Sequence, residues 1–508
     1  MNIVTRRDFI KQCGIGAGAI MTSTLWFDRL IAGSELPADL SLIRQKFGLR
    51  IEDIKKVLSL ALTKGGDFSE IFFEYRISES VTMEEDIIKS SSESITLGIG
   101  IRVLKGQQIG YGYTNDMTIE KINQAALTAA AIAKGNSKII AADLTVLKPK
   151  LQVYDLINPA HSQKIDTKID MIKEAYQTAK NFDNRIVKVS ASIADENQYI
   201  AVANSEGLMT FDTRPQVRLS VAATAADKGI KNTGSHSAGG RVGMNFYKNV
   251  KSPTEIGRRA AEEAIILLSA KNAPAGEMQV VLKNEQSGVM IHEAVGHPLE
   301  ADANWKKQSI MWDKMGQMVS NPIVTIYDDA TIPNYRGSLN IDDEGTPTEN
   351  VMLIEKGKLV GFMNDRLAAN IMKTKPNGHG RRETYQDVPI PRMNNTVLAP
   401  GDSDPKEIIE SVKNGFYAVS YQGGQVSNTG KFTFSVNLGY LIEDGKITTP
   451  LKNATLIGTN TLILKEISMI GNDMGFFLGT CGKDGQSVSV TCGTPTLKIN
   501  KMTVGGVV

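Results

Sequence analysis

Hydrophobic and polar positions along the chain fall into two strand-then-helix series, followed by a long strand-rich half. Ile71-Phe72-Phe73-Glu74-Tyr75 and Ile95-Thr96-Leu97-Gly98-Ile99-Gly100-Ile101 are β-branched and aromatic runs that predict strands. Ile119, Ile122, Ala126, Leu127 and Ala130 recur on one helix face, which predicts a helix over 118–134 stopped by Gly135. The order then repeats. Residues 187–193, 200–203 and 216–223 predict strands. Ser252, followed by Pro253 and by Glu255 three residues after the cap, predicts a helix start of the capping-box kind. That helix runs through 260–269 and ends before Pro274 and Gly276. Two series in the same order point to an internal duplication.

Pro274-Ala275-Gly276 reads as a domain boundary. Beyond it, 278–282, 432–441 and 487–490 predict strands. Tight turns are signalled at Glu355-Lys356-Gly357-Lys358, Glu443-Asp444-Gly445-Lys446 and Gly482-Lys483-Asp484-Gly485. The expected fold class is α+β: an N-terminal α+β domain over 35–273 and a C-terminal β-rich domain over 274–508, with one important helix near its start.

The first thirty-four residues read differently. Arg6 and Arg7 sit in Thr5-Arg6-Arg7-Asp8-Phe9-Ile10-Lys11, ahead of a weakly apolar stretch rich in Gly and Ala. Gly14, Gly16 and Gly18 make a poor soluble helix, and the pattern resembles a twin-arginine export signal. The expectation is an exported, periplasmic protein, attached to a membrane only if the leader stays uncleaved.

Composition narrows the picture further. A chain of 508 residues exceeds what one compact core usually organises. With 57 basic against 55 acidic residues, the charge balance offers no footprint for nucleic acid. No apolar run reaches the ~18–20 residues that span a bilayer. Three cysteines, Cys13, Cys481 and Cys492, do not make a disulfide scaffold.

The most informative stretch is Ile291-His292-Glu293-Ala294-Val295-Gly296-His297-Pro298-Leu299-Glu300. Zinc peptidases commonly carry H-E-x-x-H, whose histidines share a helix face. Here the spacing is H-E-x-x-x-H. On a regular α-helix, side chains five apart diverge by ~140° and cannot reach one ion. Gly296 can adopt angles other residues avoid, and Pro298 disfavours helical geometry at His297. The helix is therefore expected to loosen there through a π-type turn that swings His297 back towards His292. Glu293 would then face the metal as general base. A catalytic zinc needs a third protein ligand. The candidates are Glu300, Asp302, His379, Cys481 and Cys492, with Cys481 well presented in a tight loop. Cys481 bridged to Cys492, or simply buried, is the structural alternative.

Several further stretches accompany this motif: Pro274-Ala275-Gly276-Glu277, Leu299-Glu300-Ala301-Asp302, Asp342-Asp343-Glu344-Gly345, Pro389-Ile390-Pro391-Arg392-Met393-Asn394-Asn395-Thr396 and Cys481-Gly482-Lys483-Asp484-Gly485-Gln486. Together and in this order, from Phe68 to Val508, they resemble the TldD/PmbA family of metallopeptidases. The resemblance implies an N-terminal α+β domain, a C-terminal β-rich domain, and a metal held by His292, His297 and a cysteine that maps to Cys481. It also implies two kinds of subunit, one catalytic with H-E-x-x-x-H and one lacking it. This chain is similar to the catalytic kind, so a homodimer or a heterodimer with a motif-lacking relative is expected. The export signal departs from the cytoplasmic members of the family, and Pro298 stands where many members carry Gly. An older description of the family as a DNA gyrase modulator finds no support in the charge balance.

The function expected is a Zn2+-dependent peptidase acting on unfolded proteins or peptides, with Glu293 as general base and Arg392 or His379 as oxyanion or substrate contacts. The rival is a metal-stabilised peptide-binding or assembly subunit without turnover. A purely structural zinc would call for four closed ligands and no neighbouring Glu.

Overall fold

The structure, a computed structural model, describes residues 38–506 apart from 136–138, 155, 157–158 and 428–429. The export motif with Arg6 and Arg7, and Cys13, lie outside the described residues. A first unit, residues 1–50, contains one described helix, α1 (Ala38–Phe47). Residues 51–508 form a second compact unit.

That unit opens with α2 (Ile51–Leu62), which buries Ile54, Val57, Leu58 and Ala61 at helical spacing. A meander of long antiparallel strands follows: β1 (Phe68–Glu84), β2 (Ile87–Lys105) and β3 (Gln108–Thr114). Helix α3 (Ile119–Ala130) closes the series. After a short strand β4 (Thr145–Leu147) the same order returns: α4 (Ile165–Lys180), a meander of β5 (Ile186–Asn204), β6 (Leu208–Asp227) and β7 (Ile230–Gly240), then α5 (Pro253–Ser269). The two meanders join through β1 and β5 into one sheet, ordered β3-β2-β1-β5-β6, with β7 and β4 both pairing with β6. Residues 187–193 and 200–203 therefore belong to one strand, β5, not to two. The polar stretch between them pairs on both sides with β1 and β6, and ladder bonds override its weak strand propensity.

At the start of α5, Ser252 accepts from the Glu255 amide at 3.1 Å with Pro253 at the first turn. The Glu255 carboxylate takes Lys251 at 2.7 Å. Alternate residues of β5 and β6, such as Ala191, Ile193, Leu219 and Val221, bury against Ile172, Ala175, Ala260 and Ala264 of α4 and α5. The opposite sheet face meets the C-terminal half through Phe72, Ile200 and Val202 against Ile341 and Tyr385.

Past Pro274 the chain forms a small β-barrel and a second sheet. Strand Gly276–Leu282 pairs with Leu497–Gly505, which pairs with Ala454–Thr459; that strand pairs with Lys431–Glu443, then Asn414–Val426, which returns to Gly276–Leu282. The ring is closed by one parallel pairing. Lys271–Asn272, just before the proline, already pairs with strand Lys446–Lys452. The second sheet has six strands, and Gly475–Lys483 lies at its edge beside Gln486–Thr494. The three expected turns all form. Lys356-Gly357, Asp444-Gly445 and Asp484-Gly485 each have positive φ at both positions, the geometry of tight two-residue hairpins.

Asp342-Asp343-Glu344-Gly345 ties the barrel half to the first sheet. Buried Arg102 of β2 pairs with Glu344 at 2.6 Å and with Glu70 at 2.8 Å, and Arg214 of β6 pairs with Asp343 at 2.5 Å. Removing one partner of such a buried pair costs about 3–5 kcal/mol, because the other is left as an unpaired charge.

Candidate metal centre

The chain enters the site on a short α-helix, Gly288–Ile291, continues in a π turn over His292–Gly296, and leaves in a 3-10 turn over His297–Leu299. The His297 amide bonds to the His292 carbonyl, so the two histidines stand one π turn apart. This resolves the five-residue spacing, and the ring centroids lie 5.2 Å apart. The cause differs from the sequence expectation in two respects. His297 stays helical at φ −57°, ψ −42° despite Pro298, which opens the 3-10 turn instead. Gly296 is helical as well, and its need is space: a Cβ there would lie 1.8 Å from the Met393 Sδ.

Strand Gly475–Lys483 supplies the third donor. One ligand atom each of His292, His297 and Cys481 lies within 4.8 Å of the other two, and the Cys481 Sγ is 3.3 Å from His297 Nε2. Cys481 and Cys492 are free, not bridged. Cys492 packs under the start of the helix, where a Cβ on Gly288 would come within 2.8 Å of it. Burial opposes ionisation of the Cys481 thiol, but the charges of His292 and His297 bring it down to about 4. Burial likewise opposes a charge on His297, yet Glu300 and Cys481 carry it up to about 10. A thiolate flanked by two imidazoles is the state that a cation displaces protons to reach. His292 Nδ1 is buried with no hydrogen-bond partner.

Glu300 does not join the donors. Its Oε2 meets His297 Nδ1 at 3.1 Å and Lys483 Nζ at 3.1 Å. Burial would raise it, but Lys483, His297 and Arg392 hold it at about 2. A carboxylate on the far ring nitrogen fixes the orientation of His297 and leaves Nε2 for a ligand role. Asp302 takes Lys483 at 2.7 Å, so neither acidic candidate becomes the third donor. Lys483 is the contributor that residue spacing could not find, since it meets Glu300 only through the hairpin.

Arg392 and His379 are also placed differently from expectation. Both are fully buried. Arg392 donates to the carbonyls of Cys481 at 2.6 Å and Gln486 at 3.3 Å, gripping the hairpin from below. His379 sits 3.1 Å from Asp328, which also accepts from the Asn394 amide and the Thr396 hydroxyl. Neither lines the cavity, so their role is to hold the Pro389–Thr396 segment and the Cys481 hairpin in place, not to touch a substrate.

A cavity of ≈ 500 Å³ opens on the centre, lined by Glu293, His297, Cys481, Thr480 and residues 424–427. The Glu293 Oε2 lies 3.9 Å from His297 Nε2. Burial pushes the Glu293 carboxyl above its ordinary range.

Fold and site together define a mixed α+β protein with a barrel, three convergent soft and borderline donors, and a carboxylate at their open side. The chain belongs to the PmbA/TldD family of metallopeptidases. Models of the PmbA/TldA metallopeptidase domain 1, central domain and C-terminal domain match residues 69–133, 158–268 and 275–506. It is 39% identical over 467 residues to the metalloprotease TldD homolog of Haemophilus influenzae, covering 90% of this chain and 97% of that one. It is 29% identical over 454 residues to the zinc metalloprotease TldD homolog of Saccharolobus solfataricus, covering 89% and 100%. The fold is shared with TldE from Thermococcus kodakarensis at TM-score 0.71 and 18% identity, over 89% of this chain and 100% of that one.

Proposed function

We propose that the protein is a zinc peptidase that hydrolyses unfolded proteins or peptides, with His292, His297 and Cys481 as ligands and Glu293 as general base. The observation that carries this is the Glu293 carboxylate 3.9 Å from His297 Nε2, in one cavity with His297 and Cys481, two of the three convergent donors. Two imidazoles and a thiolate suit zinc, and three protein donors leave a position open, as catalytic sites require. Bound zinc supplies Lewis acidity to a water and to the carbonyl of the bond to be cut. Glu293 accepts the proton of the attacking water and passes it to the leaving amine. Glu300 keeps the His297 ring in register, with Lys483 balancing its charge.

The walls support an extended substrate. Strand Gly475–Lys483 is a sheet edge, and its residues 480–483 line the cavity. An edge offers backbone groups that bind an extended chain by main-chain hydrogen bonds; the Gly479 and Cys481 carbonyls already accept from Arg336 and Arg392, so pairing falls to the other groups of this edge. A folded protein has already used its own backbone groups. One protein offered in native and in irreversibly unfolded form should be cleaved only when unfolded, as read by gel and mass spectrometry. Equal rates on both forms would rule this selectivity out.

We also propose export by the twin-arginine route, on the strength of Arg6 and Arg7. Replacing both with Lys should leave the full-length protein in the cytoplasmic fraction. Unchanged export would refute the route.

A further inference from the structure

Three arginines outside the metal centre, Arg218, Arg241 and Arg336, make no ion pair among the described residues. Arg241, 4% exposed, has Nε and Nη1 buried with no hydrogen-bond partner. Arg218 of β6 donates to the Ser237 hydroxyl at 2.8 Å, and its Nε is buried and unpartnered. Arg336 donates through Nη1 to the Gly479 carbonyl at 2.9 Å and the Thr480 hydroxyl at 3.0 Å. With the Gln216 amide turned to present its oxygen, Arg336 also donates to it at 3.3 Å. Among the described residues none of the three guanidinium groups has a carboxylate partner. Glu196 is nearest in effect and pairs with Arg76 at 3.9 Å. Burial, then repulsion from Arg218, pushes Arg336 down to about 10. Leaving buried guanidinium donors unpaired costs stability unless an anion completes them.

The space for an anion is there. Arg218 lines a cavity of ≈ 330 Å³ with Ser190, Ser192, Ser220, Ser235 and Ser237 on the sheet side and Phe477 across from them. The carboxylate on its wall, Glu285, is engaged with Arg259 at 3.3 Å. A guanidinium fork among hydroxyl donors matches the planar, two-oxygen geometry of a carboxylate. Phe477, Gly479 and Thr480 belong to the edge strand that carries Cys481. Phe477, the residue of that strand on the cavity wall, precedes Cys481 by four positions, about 13 Å at ~3.3 Å per residue.

We infer that Arg218, with the hydroxyls of Ser190, Ser192, Ser220, Ser235 and Ser237 around it, forms a carboxylate subsite for a polypeptide bound beside strand Gly475–Lys483. The inference rests on the peptidase reading and deepens it: the bound chain is anchored by one negative group about four residues from the bond to be cut. That group is either the C-terminal carboxylate or the side chain of an Asp or Glu.

The test uses the full chain carrying Glu293→Gln, loaded with zinc, so that binding is read without cleavage. Three kinds of octapeptide built on one neutral sequence are titrated by calorimetry: one acetylated and amidated, one acetylated with a free C-terminus, and an acetylated and amidated set with a single Glu at successive positions. One carboxylate form should bind about 10- to 100-fold more tightly than the neutral peptide, the range of a charge-assisted hydrogen bond. Preference for the free terminus or for the Glu identifies which carboxylate is read. Adding Arg218→Gln should collapse the ratio towards one, and Arg218→Lys should restore part of it. Equal binding of all three kinds overturns the subsite alone, and so does a preference that survives Arg218→Gln. Failure of every peptide to bind removes the peptidase reading and the subsite with it.

Discussion

Glu293→Gln protein should keep its metal and fold and lose peptide hydrolysis by about 100- to 10,000-fold, the range that general base catalysis contributes. The amide fills the same volume as the carboxylate and cannot accept the proton of the attacking water. Glu293 is not among the three donors, so zinc content by elemental analysis should match the parent protein. Its position in the π turn is set by the His297-to-His292 backbone bond, which the substitution does not touch. Single-turnover cleavage of an unfolded substrate is the measurement. A variant within a few-fold of the parent would show that another group moves the proton.

Cys481→Ser protein should lose most of its metal, whereas Cys492→Ser should retain it. Loss of an outer hydrogen-bond partner already costs ~10- to 100-fold in metal affinity, and loss of a donor atom should cost more. The two cysteines make a discriminating pair because both are buried near His292. Only Cys481 has its sulfur within 4.8 Å of a ligand atom on each histidine. Cys492 serves as packing beneath Gly288. Metal content and affinity for a chromophoric chelator read the difference. Retention in Cys481→Ser together with loss in Cys492→Ser would reverse the assignment.

Local features were legible in the sequence by itself. Ser252 with Pro253 and the Asp-Gly and Lys-Gly turns each act through a few adjacent residues, so composition and order suffice to place them; helix α3 was legible in kind, but it ends at Ala130, short of Gly135, and leaves Ile119 and Leu127 exposed. The pairing of His292, Glu293 and His297 was legible for the same reason, and even the need for a π turn followed from a spacing that a regular helix cannot accommodate.

What only the tertiary structure decided lies in contacts between distant segments. Glu300 was as plausible a ligand as Cys481 by spacing. Its capture by Lys483 and the ring of His297, across 183 residues of chain, makes it an orienting group instead. Arg392 and His379 carry the chemistry of a substrate contact, but burial, of Arg392 against the Cys481 hairpin and of His379 against Asp328, turns that chemistry inward. Gly296 illustrates the same division. Its smallness is visible in the sequence, whereas the reason for it, the Met393 sulfur pressed against its backbone, arises from a segment almost a hundred residues later. The arginines 218, 241 and 336 come from β6, the loop after β7 and the second half of the chain. A surplus of unpaired charge is a property of their meeting, and no window of sequence contains it.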